Sequence, residues 1–380
     1  MNALLFAVVM ATQDSTDRWA PMARAIEDAV AAQAFPGAVV AIGRRDTVLY
    51  VHAFGHFTYS ETDGPTDRRT EVTERTVYDL ASLTKVVGLT TAIMMLVDEG
   101  RVDLDAPVRS YVQMFGYAHG STVTVRRLLT HSGGLVAWKP LYQQAQDRRS
   151  LFDLAEREPG ECPPGTRMTY SDLGAITLTD MVETLTGERL DRYLRRRLFE
   201  PLSMRNTRFN PPRSWLTRIA PTEMDTTWRH RLVHGTVHDE NAAAMSGVSG
   251  HAGLFGTAPD LVRFAQMMLG EGVVAPGHRG ATRIVSEEAV AEFTRVQEPQ
   301  LSHRALGWEA PNGQNSAGSR LSARAFGHTG FTGTSIWIDP EQDLFVILLT
   351  NRVHPTRENT ALFPVRRQVA DLAVEIAGRP

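Results

Sequence analysis

The sequence predicts an α+β protein with one antiparallel sheet built from both chain ends. A mainly helical lobe is inserted in the chain between the two sets of strands. Three observations support this fold class. Two β-rich runs flank a polar turn within residues 36–55, and a second such pair, "TSIWIDPEQDLFVILLTN", lies near the C-terminus. Between the two pairs, apolar residues recur at helical spacing in segments that end at glycine.

Each element has its own signal in the sequence. Apolar residues three to four positions apart predict a helix over 17–34, and the first hairpin turns at 44–46. The stretch "DLASLTKVVGLTTAIMMLV" predicts a helix over about 82–99, and a short helix ends in "VRRLLTHSGGL". The segment "DLGAITLTDMVETLTG" is typical of a helix that stops at Gly187, "APDLVRFAQMMLGEG" predicts another, and a last helix covers about 361–377.

The composition excludes several classes of function. The chain has 380 residues, of which 42% are hydrophobic and 22% charged, as in ordinary soluble globular proteins. A net charge of −3 provides no electrostatic basis for binding nucleic acid, so we expect no such partner. The single cysteine, Cys162, excludes an internal disulfide framework and disfavours a thiolate metal site.

The domain organisation follows from the element order. We predict one domain over residues 17–378, with an α/β part at about 17–75 and 300–378 and a helical lobe at about 100–290. Residues 1–16 resemble the apolar core of a signal peptide but lack the positive charge that normally precedes it. A periplasmic or secreted location follows if this segment is a signal, and a cytoplasmic location follows otherwise. No apolar run approaches the ~18–20 residues that span a bilayer, so no transmembrane segment is predicted.

The first chemical signal is a lysine in an arginine-rich chain. Of the 40 Lys and Arg residues, only Lys85 and Lys139 are lysine, and lysine can lose its proton in a protein interior. Ser82 lies three residues before Lys85 and therefore on the same helix face. Because burial lowers the pKa of lysine, we predict that Lys85 is an uncharged amine that activates the Ser82 hydroxyl. Ser-x-x-Lys alone fits equally a capping serine and a surface lysine.

Two further motifs follow in the chain. In "MTYSDLG", the hydroxyl of Tyr170 could relay a proton near a lysine, although Ser171 or Asp172 could simply cap a helix. In "GHTGFTGTSIW", His328 begins a polar pair that leads into a strand, and Gly330 would let a ligand approach the backbone closely. Each motif by itself has an ordinary structural explanation.

Together and in this order, the three motifs resemble those of the serine β-lactamase and penicillin-binding family, whose signature is Ser-x-x-Lys, Ser-Asp-Asn and Lys-Thr-Gly. The middle tyrosine resembles the class C branch, which is shared with DD-carboxypeptidases and family VIII carboxylesterases. Phrases such as "VDEGRVDLDAPV" and "GHAGLFGTAPDLVRFAQMML" are also similar, and the resemblance runs from about residue 20 to 375. It implies a β-lactamase/transpeptidase-like fold with its sheet flanked by helices. We expect no cofactor and no metal.

The resemblance implies a role for each matched residue. Ser82 matches the acylated nucleophile, Lys85 its proton-accepting partner, and Tyr170 the group that helps activate the serine and later the deacylating water. The oxyanion hole would use the backbone N–H groups of Ser82 and Phe331. The predicted substrate-binding positions are Asp172, His328, Thr329 and Gly330.

Two of these positions depart from the lactamase pattern. Asp172 stands where class C enzymes usually have asparagine, and an ionised carboxylate only accepts hydrogen bonds. His328 replaces the lysine of the strand motif with a group that is mostly neutral at pH 7. We therefore expect hydrolysis of small esters or of D-amino-acid amides and peptides, with a small-molecule or peptidoglycan-like substrate. β-Lactam hydrolysis remains open, the alternative is a penicillin-binding receptor that acylates without efficient turnover, and the oligomeric state is not predicted.

Other chemistries are less well supported by the sequence. No Gly-x-Ser-x-Gly occurs, so a nucleophile elbow is not indicated, and His131 in "LLTHSGG" is interpreted as a structural polar residue. A histidine-rich stretch follows residue 229, and we interpret it as a loop network bordering the groove rather than a metal site. Its members are His230, His234, His238, Asp239 and His251.

Overall fold

The computed structural model describes residues 18–65, 69–116, 122–274 and 281–378, so the apolar segment 1–16 lies outside the described residues. The described α-helices are α1 Ala20–Ala31, α2 Thr91–Asp98, α3 Val125–Leu129, α4 Arg148–Arg157, α5 Asp172–Thr186, α6 Leu190–Leu194, α7 Glu240–Ala244, α8 Ala258–Leu269, α9 Glu287–Thr294 and α10 Leu362–Ala377. The strands are β1 Gly37–Gly43, β2 Val48–Gly55, β3 Tyr78–Asp79, β4 Arg208–Phe209, β5 Met224–Asp225, β6 Arg231–Leu232, β7 Leu254–Gly256, β8 Val273–Val274, β9 Thr282–Arg283, β10 Phe326–Thr329, β11 Ser335–Asp339 and β12 Leu344–Thr350.

The main sheet joins the two ends of the chain, as the sequence predicts. Its five strands lie in the order β10-β11-β12-β1-β2, and every neighbouring pair is antiparallel. The central pairing runs from Ala38 opposite Thr350 to Gly43 opposite Phe345. The N-terminal hairpin is thereby held by the last strand of the protein.

Both faces of the sheet are covered by helices. Side chains alternate along β1, so Val39 and Ala41 enter a core that they share with residues of α2 and α8. Val40 and Ile42 enter a second core beneath α1 and α10. The first and last described helices pack together on this outer face, and the Arg18 Nε donates to Ile376 O at 3.1 Å.

The helical predictions hold with one correction near Ser82. Helix α5 stops where the sequence predicts, at Gly187, which adopts a left-handed conformation with φ 67°. The helix predicted after Ser82 is present, but its first turns, Thr84–Thr90, are π-helical and lead directly into α2. π-Helical turns are rare and often lie at functional sites.

No described helix combines the length and apolar character needed to cross a bilayer.

Candidate active site

The Ser82 segment is a tight turn held by a buried carboxylate. Ala81 adopts φ 46°, which is unusual for a residue with a Cβ. The Asp79 side chain accepts hydrogen bonds from the N–H of Ala81 at 2.9 Å and of His238 at 2.7 Å. These bonds fix the strained turn that presents Ser82 at the start of the π-helical segment.

Lys85 lies one turn beyond Ser82 and is almost fully buried, with 3% of its surface exposed. Its Nζ is 3.1 Å from Ser82 Oγ, 2.9 Å from the carbonyl oxygen of His251 and 2.7 Å from Asp172 Oδ1. The ring of His251 is itself fixed, because Ser249 and Asp239 each hydrogen-bond one of its nitrogens at 2.7 Å. The predicted proximity of serine and lysine is therefore present.

The sequence predicts an uncharged Lys85, and this prediction is wrong for the free protein. Burial acts to lower the pKa of this amine, but the Asp172 carboxylate and Tyr170 raise it, and the net shift is upward. Lys85 is therefore an ammonium ion paired with Asp172. The sequence indicates that Lys85 is buried, which lowers its pKa, but it does not reveal the carboxylate that α5 brings against the amine.

Tyr170 completes the cluster around the two residues. The Lys85 Nζ lies 4.9 Å from the centre of its ring, and the buried Oη has no partner in hydrogen-bond geometry among the described residues. Burial raises the pKa of Tyr170, while Lys85 and Ser82 act in the opposite sense, so the phenol keeps its proton. Ser171, the next residue, caps α5 by accepting from the N–H of Gly174 at 3.3 Å.

His131 supports the Tyr170 segment, in agreement with a structural role. Its Nδ1 accepts from the backbone N–H of Ser171 at 3.1 Å, and its ring centre lies 4.5 Å from that of Tyr170. Burial, followed by the charges of Arg304 and Lys85, lowers the pKa of His131 well below its usual value. It is therefore a neutral hydrogen-bonding support.

The turn after β10 meets the Ser82 turn. Thr334 Oγ1 donates to the carbonyl of Leu80 at 3.0 Å, and a Cβ on Gly330 would lie only 2.6 Å from that same oxygen. The N–H groups of Ser82 and Phe331 donate to none of the described residues. The two predicted oxyanion donors therefore lie on turns that are joined by the bond from Thr334 to Leu80. Neither N–H group is occupied by an acceptor among the described residues.

His328 is buried between the strand and the tyrosine. Its Nδ1 donates to the carbonyl of Thr329 at 2.8 Å, which leaves Nε2 as an unprotonated acceptor. Burial and then Arg304 and Lys85 lower the pKa of His328 well below its usual value. This residue therefore does not supply the positive charge of the lysine that it replaces.

Thr329 is the last residue of β10 and is half-buried. Successive side chains alternate along a strand, so Thr329 faces away from the side that His328 occupies. It lines a cavity of about 440 Å³ together with Glu309, Phe363 and Arg366. Its predicted role in substrate binding stays a prediction.

Arg304 is a site residue that the sequence analysis missed. Its side chain is 8% exposed, its guanidinium lies 5.3 Å from the ring centre of Tyr170, and Nη2 bonds Glu309 at 2.7 Å. Nothing in "HRALGWEA" distinguishes this arginine from 37 others. After burial, the positive charge of Arg304 is the next cause that lowers the pKa of His328.

Several histidines of the histidine-rich stretch are bonded to neighbouring residues. His238 Nε2 pairs with Glu223 at 2.9 Å, and the His238 ring stacks on Phe331 at 5.7 Å. His234 Nε2 bonds the carbonyl of Ile219 at 2.9 Å. Over the described residues, no group of three or more His, Cys, Asp or Glu side chains is arranged to hold a metal ion.

Comparison with known proteins identifies the family. The β-lactamase family model matches residues 22–371. The chain belongs to the β-lactamase family. A relative from Escherichia coli O157:H7, provisionally named D-alanyl-D-alanine carboxypeptidase, is 32% identical over 351 residues, covering 84% of this chain and 79% of the relative.

Solved structures agree on the fold of this β-lactamase family member. EstCE1, a hydrolase with promiscuous acyltransferase activity, superposes with a TM-score of 0.74 at 20% identity, covering 96% of this chain and 100% of the other. A penicillin-binding protein homologue from Caulobacter crescentus gives a TM-score of 0.74 at 19% identity, covering 95% and 98%. At these identities, the likeness establishes the β-lactamase/transpeptidase-like fold alone.

Proposed function

We propose that this β-lactamase-family hydrolase cleaves ester or amide bonds through a covalent acyl ester on Ser82. The observation that carries the proposal is the 3.1 Å contact between Ser82 Oγ and the buried Lys85 Nζ. The N–H groups of Ser82 and Phe331 are available for the oxyanion that forms during acyl transfer. Tyr170 carries a proton that it can give to a leaving group.

The proposed substrates are small esters and D-amino-acid amides or peptides. The Asp172 carboxylate cannot donate a hydrogen bond to a substrate carbonyl, and His328 adds no positive charge for an anionic substrate. Both features favour uncharged esters and amides over substrates that carry a carboxylate, which include β-lactams and peptides ending in D-alanyl-D-alanine. The names of the curated relatives, in contrast, support D-alanyl peptides as a peptidoglycan-like substrate, so the proposal retains both substrate classes.

A second candidate is a penicillin-binding receptor that forms the ester but releases it slowly. This alternative is motivated by the Caulobacter crescentus protein, which is named as a penicillin-binding protein homologue. Tyr170 and Lys85 beside Ser82 favour turnover, because a receptor does not require groups that move protons after acylation.

We predict faster turnover of p-nitrophenyl butyrate than of the chromogenic cephalosporin nitrocefin, because Asp172 and the neutral His328 disfavour a carboxylated substrate. Steady-state kcat/KM values for both, together with D-alanyl-D-alanine peptides, measure this preference. The Ser82→Ala variant is the control and should abolish all serine-dependent turnover.

Three outcomes are informative. Ester turnover that disappears in Ser82→Ala supports the hydrolase, and a single stoichiometric burst without turnover supports the receptor. Nitrocefin hydrolysis faster than ester hydrolysis would overturn the proposed substrate preference.

A further inference from the structure

The three oxygen atoms around Lys85 Nζ limit which protons this group can exchange. An ammonium group has three N–H donors and no acceptor, whereas a neutral amine has two donors and one lone pair. Nζ lies within hydrogen-bond distance of three oxygen atoms, those of Ser82, His251 and Asp172, at 3.1, 2.9 and 2.7 Å. In this arrangement Lys85 donates to Ser82 and has no lone pair with which to remove the serine proton.

Only one of the three partners can take a proton from Lys85. The His251 oxygen is a backbone carbonyl, and the Ser82 oxygen is the alcohol that must itself be deprotonated. The third is the Asp172 carboxylate, whose Oδ1 is buried with Lys85 as its close contact. We propose that Asp172 accepts a proton from Lys85 and thereby converts the ammonium into the base that activates Ser82. This inference rests on the proposed acyl-transfer function.

The proton balance of the step is complete without another reactant. A proton moves from Lys85 Nζ to Asp172 Oδ1 and leaves a neutral amine beside a carboxylic acid. The amine takes the proton of Ser82 Oγ as that oxygen bonds to the acyl carbon. When the bond to the leaving group breaks, Tyr170 Oη gives that group a proton and regains one from Lys85, and Asp172 then returns its own proton to Nζ.

Substrate binding provides the physical reason for the first transfer. The Asp172 side chain is 17% exposed, so water still stabilises its charge in the free protein. A bound acyl substrate would displace that water and make an ion pair less favourable relative to a neutral pair. In this step Asp172 acts through Lys85, as a positioning residue for the proton.

The other charged and titratable groups around Lys85 are engaged elsewhere. Asp239 is bound to the ring of His251, and Arg304 is paired with Glu309. Both neighbouring imidazoles are neutral, and Tyr170 keeps its proton in the free protein. The groups that face Lys85 are Asp172, Tyr170, His131, His328, Arg304 and Asp239.

Asparagine at position 172 cannot hold the proton, which makes the Asp172→Asn variant diagnostic. Without the carboxylate, burial dominates and lowers the pKa of Lys85. At alkaline pH the amine of the variant is then neutral and can act as the base without passing a proton to residue 172. The acid limb of its kcat/KM profile for p-nitrophenyl butyrate then reports protonation of Lys85. In the wild type the active Lys85–Asp172 pair holds one shared proton. Its acid limb reports the binding of a second proton, which blocks the transfer to Asp172 and occurs at lower pH.

We expect the acid limb in Asp172→Asn to lie at least about one pH unit above that of the wild type. The matched control is Asp191→Asn, which removes a first-turn carboxylate from α6 that is paired with Arg189 at 2.6 Å. That variant should keep the wild-type profile. Asp172→Glu, which retains a carboxylate, should restore the low-pH limb in part.

The result that would overturn the inference is an unchanged acid limb in Asp172→Asn, with activity reduced equally at every pH. Circular dichroism and thermal unfolding establish that the variant is folded. If the wild-type protein itself turns over no ester or peptide, the proposed function fails. A wild type that is active and an Asp172→Asn variant with an unmoved limb refute only the role of Asp172.

Discussion

Replacing Lys85 with arginine is expected to lower kcat for ester hydrolysis by about 10²–10⁴-fold. Arginine keeps its proton under all accessible conditions, so it can neither accept the Ser82 proton nor exchange one with Asp172. This variant retains the positive charge next to Asp172. A loss of activity would therefore result from the lost proton transfer and not from a missing ion pair. Steady-state kinetics with p-nitrophenyl butyrate measures the loss.

The chain supplies its own control for this substitution. Lys139, the other lysine, has a side chain that is 44% exposed and pairs with Glu158, so Lys139→Arg should leave kcat within about twofold of the wild type. Because guanidinium is larger than ammonium, Lys85→Gln provides a smaller uncharged variant that must also be inactive. Near-wild-type turnover in either folded Lys85 variant would contradict the assignment of Lys85 as the base.

Replacing Gly330 with alanine is expected to reduce kcat/KM by about 10²-fold or more. A Cβ at this position would lie 2.1 Å from Thr334 Oγ1 and 2.6 Å from the backbone carbonyl of Leu80. The β10 turn must therefore move away from the Ser82 turn, which separates the N–H of Phe331 from that of Ser82. The oxyanion would then lose one of its two donors.

Gly116→Ala is the matched control for this change. Among the described residues, a Cβ there meets only the carbonyl of Met114, at an ordinary 3.5 Å, so activity and thermal unfolding should match those of the wild type. Circular dichroism confirms whether Gly330→Ala remains folded. A folded Gly330→Ala protein with full activity would exclude the proposed oxyanion hole.

The fold could be predicted largely because its signals are local. The continuous apolar runs of β1 and β12, the polar turn between β1 and β2 and the glycine after α5 each indicate a local conformation. The prediction that the two chain ends form one sheet follows from the position of these strands in the chain. The π-helical turn after Ser82 has no such local signal, because "TKVVGLT" is compatible with an ordinary α-helix.

The site could be predicted only where its residues share one helix or one motif. Ser82 lies on the turn that leads directly into the helical segment of Lys85, so their spacing in one motif is sufficient to place them together. The charge of Lys85 depends on Asp172, 87 residues later. The neutrality of His328 depends first on its burial in the folded chain and then on the charge of Arg304 on another loop. Charges that meet only in the folded chain are absent from any local pattern, and this is why the predicted neutral lysine is wrong.

The most direct test of the account is to locate the covalent intermediate. The protein is mixed with p-nitrophenyl butyrate or with a slowly released β-lactam, quenched in acid and examined by peptide mass spectrometry. We predict that the acyl mass appears on the peptide containing Ser82 and is absent from the Ser82→Ala protein. An acyl group on a different residue, or ester turnover that persists in Ser82→Ala, would contradict the account.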